Sequence, residues 1–188
     1  MSHVAEVVDL GPEEEFQRLW TGALEAQKSA PTSLVSLCES LDLGLHAAEI
    51  LVIQRLQPIK DQFPATIAIQ LETPAPEVDT YRDAISVPKS LQFTDVLDLL
   101  SAETLDCVSP GMHRGWEDRR FSCRRSRATA QGAIAVTLDA AARDHLLLLA
   151  AYRNRVFRYP PPIRLVTQEI IKAFESLVLL VDGIRAAG

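Results

Sequence analysis

Three sets of side chains in this chain of 188 residues are of types that do chemistry. His46 and Glu49 stand three apart, a spacing that sets both on one side of a helix, and His145 follows Asp144 in another strongly periodic stretch. Histidines and carboxylates projecting inward from facing helices are how bundles hold a divalent metal. The usual dinuclear pattern supplies Glu-x-x-His twice, whereas this chain has a single His-x-x-Glu. A core histidine satisfied by a hydrogen bond is therefore the plainer reading, and no cofactor is expected. Histidine is also a residue type that serves as acid and base near neutral pH, but no nucleophile or anion hole accompanies these two in the sequence.

The second set is Cys107, His113 and Cys123, whose gaps match no compact zinc module and leave a fourth ligand missing. The third is the run Arg114, Arg119, Arg120, Arg124, Arg125 and Arg127, with Trp116 and Phe121 interleaved and only Glu117 and Asp118 opposing it. Guanidinium groups pair with phosphate and aromatic rings stack on bases, so this run has the local look of an anion or nucleic-acid contact. The whole chain carries a net charge of −6, which argues against nucleic acid, whose binders draw most of their affinity from phosphate neutralisation. A solvated loop, or one that pairs with acidic patches on the bundle or on a partner, fits the charge better. Neither a glycine-rich phosphate cradle nor a Gly-x-Ser-x-Gly elbow occurs.

The elements that must position these groups are helical. Gly11-Pro12 followed by three glutamates reads as a helix start, and Phe16, Leu19, Trp20, Ala23 and Leu24 form one apolar face of a first helix over 12–28. Thr32 or Ser33 can cap a second helix, which carries two adjacent apolar seams and so belongs at the centre, ending near Gln57-Pro58. A proline-containing connection over 64–90 follows. Residues 66–72 within it alternate with period two, as a strand does, and we read them as an extended segment over the bundle in preference to an edge completed by another chain. A shorter helix is expected over 90–106, then an exposed arginine-rich loop over 109–127.

One long helix is expected over 128–159, with Ile134, Leu138, Ala141, His145, Leu148, Tyr152 and Val156 in a near-heptad seam that stops at Pro160-Pro161-Pro162. A last helix over 163–187 shows steps of three and four through Ile170, Ala173, Leu177, Leu180 and Ile184. These two form an antiparallel hairpin with a stiff proline turn. The fold expected is thus all-α: a four- to five-helix bundle in a single domain over 1–188, with a C-terminal antiparallel helical hairpin and two long loops.

With 47% apolar and 23% charged residues the chain can build its own core, which excludes a disulfide miniprotein and a wholly disordered chain. Its three cysteines and its unremarkable start point to a reducing compartment, cytoplasm or nucleus, and no run of about 18 apolar residues suits a membrane span. The function expected is a non-enzymatic protein-protein interaction module, a scaffold, adaptor or complex subunit that presents a helical face or groove to another protein. Two other readings stand beside it: a bundle binding a metal ion or small ligand through interior His46 and His145, and an anion or nucleic-acid contact through 114–127. Wide apolar arcs also allow a homo-oligomer, and Trp20, on a first helix held by a short hinge, is a natural contact for an exchanged partner helix.

Overall fold

The computed structural model describes residues 11–72, 93–101, 116–158 and 167–187. They form seven helices, and no helix among them is long and apolar enough to cross a membrane. Helix α1, Pro12–Ser29, begins where proline sets its first turn. Glu14 Oε2 accepts the Gly11 N–H at 3.3 Å, half of a capping box whose other half a glycine cannot supply. The chain turns at 30–33, where Ser29 C=O accepts from the N–H groups of Thr32 and Ser33, and Ser33 Oγ accepts from Ser36 N–H at 3.2 Å. That cap opens α2, Leu34–Leu56, whose buried face runs from Leu37 to Leu56. α2 is the central rod, lying against α1 and four of the helices that follow.

At Gln57–Gln62 the helix tightens into a 3-10 turn around Pro58. Residues expected to be extended are instead a helix, α3, Ala65–Glu72. Pro64 C=O accepts from the N–H groups of both Ile67 and Ala68 to start it, and Lys60 pairs with Glu72 across the preceding turn. The reason is visible in the burial: Leu71 is buried and Ile67 half-buried, while Ile69 between them is 43% exposed. The face that matters repeats at four, and the period of two is incidental. Residues 73–92 lie outside the described residues.

α4, Phe93–Leu100, buries Phe93, Val96, Leu97, Leu99 and Leu100. α5, Trp116–Ile134, overturns the expected loop over 109–127 from residue 116 onward. Arginine is a good helix former, and Ser126, Ala130 and Ile134 give the segment a buried face at steps of four that packs on α4 and α2. Residues 109–115 lie outside the described residues.

The single helix expected over 128–159 is also corrected: it breaks at 135–139. Ala135 has φ +56, in the left-handed region, with its N–H still bonded to Gln131 C=O. Leu138 then donates its N–H to Leu100 C=O at 2.8 Å, and Asp139 Oδ1 accepts from Ala142 N–H at 2.8 Å to cap α6, Ala140–Arg158. α7, Thr167–Ala186, buries Ile170, Ala173, Phe174, Leu177, Leu180, Val181 and Ile184. α6 and α7 pack on each other; the expected proline turn at 160–162 lies outside the described residues. Buried side chains from all seven helices join one apolar cluster.

Candidate functional site

The two histidines and the glutamate singled out as metal ligands do not converge. His46 is exposed on α2, on the side of α1, where its charge helps to hold the Glu15 carboxyl low. The expected interior position is therefore wrong for His46: its neighbours Leu45, Ala47 and Ala48 take the buried arc. Glu49 is committed elsewhere. Its Oε1 accepts from Arg153 Nη2 on α6 and from the Phe93 N–H at the start of α4, both at 2.9 Å. With both side chains of the pair 16% exposed, the carboxylate is an acceptor for two elements at once. His145 is half-buried on α6 with Nδ1 2.9 Å from Ser176 Oγ on α7. No group of three or more His, Cys, Asp or Glu side chains converges among the described residues.

A serine beside a histidine invites comparison with nucleophile activation, which needs backbone N–H groups gathered at a developing oxyanion. Ser176 and His145 lie in the interiors of regular helices, whose N–H groups are spent on carbonyls one turn back. The contact ties α6 to α7. Of the thiols considered for zinc, Cys107 lies outside the described residues with His113, and of Cys123 only the helical backbone is described. Cys38 on α2 is free, and burial pushes its thiol up, away from the reactive thiolate.

Trp20 is 5% exposed and stacks between Phe16 on its own helix and Phe174 on α7, with ring centroids 6.5 and 6.4 Å apart. It is a core residue joining α1 to α7: the i, i+4 step from Phe16 turns both rings inward, so Trp20 would meet a partner only through exchange of α1. Arg114 lies outside the described residues. Trp116, Arg119, Arg120 and Arg124 fall on α5, and Arg125 is exposed there. Arg127, at the end of the run, turns inward instead, with Nη2 3.2 Å from Asp98 Oδ1 on α4. One turn later Gln131 Nε2 donates to the carbonyls of Leu99 and Ser101, so α5 grips the C-terminal end of α4.

The features that sequence reasoning missed are the Glu49–Arg153–Phe93 junction and a pair of exposed apolar neighbours. Arg153 was legible only as a charge near a helix end, because its partner is remote in the chain. Leu34 is 58% and Val35 76% exposed, side by side in the first turn of α2, and Leu179 on α7 is 72% exposed. Sequence spacing does not set the first of these apart, since Leu34 stands in step with the seam through Leu37 and Leu41, and only the structure shows that burial begins at Leu37. Comparison with family models, with curated proteins and with solved structures finds no match to this chain.

Proposed function

We propose that the chain is a non-enzymatic interaction module, working alone or as a subunit of a larger complex, that presents helical surface around the start of α2 to another protein. The observation that carries this reading is the adjacent exposure of Leu34 and Val35 at the end of a helix whose remaining length is the centre of the core. Apolar surface held in water forgoes roughly 25 cal/mol per Å² of burial, which a partner can recover. The site sits beside a turn fixed by the Ser33 cap and the bonds to Ser29 C=O, so the backbone that carries both side chains is set before binding.

The test is photo-cross-linking of the full chain in its native source, with the cross-linker placed at Val35 or, as a control, at the exposed Lys172. A discrete adduct from position 35 that is lost in Leu34→Glu, and none from position 172, is the expected result. Equal labelling from both positions, or none from position 35, overturns the reading. Leu34→Glu keeps the fold, because an exposed position costs within about 0.5 kcal/mol.

A further inference from the structure

Helices α5 and α6 are separated by a joint of five residues, 135–139, that contains neither proline nor glycine. The apolar period does not stop there: Ile134, Leu138, Ala141 and His145 keep steps of four, three and four straight through it. The break is held by contacts from outside the segment, by one strained residue and by one local cap. Ala135 sits at φ +56, a region a side chain with a Cβ enters at a cost. Leu138 is fastened to the Leu100 carbonyl of α4, Val136 lies against Gly183 of α7, where a Cβ on that glycine would be 3.1 Å from Val136 Cγ2, and Asp139 caps the restart. Short hinges under strain are where chains exchange elements with their copies.

We propose that residues 135–139 are the hinge of a domain swap in which two copies of this chain exchange their α6–α7 units. In the exchanged form the joint straightens, α5 and α6 run on as one rod over 116–158 about 65 Å long, and the α6–α7 unit docks on the other copy. The contacts it makes are the same in cis and in trans. Arg153 meets Glu49, Phe174 stacks on Trp20, Phe174 and Leu177 cover Gly44, and the Arg185 guanidinium sits 5.9 Å from the Phe16 ring, whichever chain supplies the acceptor. What differs between the two forms is the joint: relief of Ala135 and the continuous helix on one side, the Leu138–Leu100 bond and the Asp139 cap on the other. The partner is therefore a second copy, fixed by the identity of the docking contacts.

The experiment is light scattering and sedimentation of the full chain over a wide concentration range, with variants at the joint. Thr137→Ala with Asp139→Ala, both at exposed positions, favours continuous helix and removes the α6 cap, and is expected to raise the dimerisation constant roughly tenfold. Ala135→Gly accepts the left-handed conformation without strain and disfavours helix, and is expected to lower it about fivefold or more. Exchange is separated from side-by-side association by mixing a chain carrying Glu49→Arg with one carrying Arg153→Glu. Each alone sets like charges against each other, whereas only exchange restores an opposite pair at both junctions, so a heterodimer of the two is expected. A monomer at every concentration in the helix-favouring variant, or a dimer whose constant ignores both joint variants, overturns the proposal even if the charge-reversed chains fail to fold singly.

Discussion

Among the described residues two short breaks separate long helices, and they are made in opposite ways. Between α1 and α2 the turn at 30–33 is written into its own residues: Pro31 discourages further helix, Ser29 C=O collects two N–H groups, and Ser33 caps the restart. Between α5 and α6 the joint at 135–139 has only Asp139 as a local device. The rest of its definition comes from Leu100 and Ser101 at the end of α4 and from α7 behind Val136. The first break is set by residues in and beside it; the second exists because two other helices, α4 and α7, are already in place. A helix boundary can thus be a property of the segment or of the assembly, and only the former is readable from adjacent residues.

The comparison can be broken most severely at Trp20. Trp20→Ala removes the ring between Phe16 and Phe174 and is expected to cost about 4 kcal/mol in urea unfolding, with one coincident transition by all probes. Separate loss of α1 before the remainder would show that the first hairpin is not part of a single cooperative unit. Next comes the α2–α6 junction. Arg153→Ala leaves the Glu49 carboxylate in a largely buried place with only the Phe93 N–H, a loss of about 2–3 kcal/mol, whereas Arg18→Ala, which breaks an exposed pair within α1, should leave the unfolding midpoint nearly unmoved. Equal losses would mean that both pairs behave as surface contacts.

A smaller and more pointed pair of variants compares the two breaks directly. Ser33→Ala and Gln131→Ala should each cost about 1 kcal/mol. Hydrogen exchange separates them: the first loosens only the opening turn of α2, while the second lowers protection in α4, α5 and α6 together. Loosening confined to α5 in the second variant would make the later joint as local as the earlier one. The smallest effect is at Glu15. The hydrogen bonds from Arg18 hold its carboxyl below the ordinary glutamate value, against the opposing effect of burial, with the charges of Arg18 and His46 adding to the lowering. A depressed folded value means the stabilisation is full above the unfolded glutamate pKa and fades as pH falls through the lower folded one. Carboxyl titration by NMR should show Glu15 titrating low and Arg18→Ala bringing it back up.

How much was legible follows the same division. The α1 start at Pro12, a cap at Thr32 or Ser33, the central place of α2 and the inward face of α7 from Ile170 to Ile184 could all be read, because each rests on near neighbours or on a period sustained over many turns. Residues 66–72 were misjudged because seven residues cannot tell a period of two from a buried pair four apart: Ile67 and Leu71 fit both, and only the Pro64 carbonyl decides. The arginine-rich stretch was misjudged because charge was weighed above helix propensity, although Arg127 could be recognised as inward-facing only once Asp98 was known to lie opposite it. The metal reading failed at His46 for a geometric reason. Its place between Leu45 and Ala47, both in the buried arc, did not settle the outward direction without knowing how wide that arc is. The Glu49 junction was beyond the sequence, since its two donors come from helices 44 and 104 residues away.

The sandwiched indole has a practical corollary. The chain holds two tryptophans, and with Trp116→Phe the remaining indole, flanked by two near-parallel rings and shut off from water, becomes a native optical gauge. Its emission should lie toward the blue while α7 is seated and move to the red as that helix leaves, so the seating and unseating of one element can be timed by fluorescence without attaching a dye.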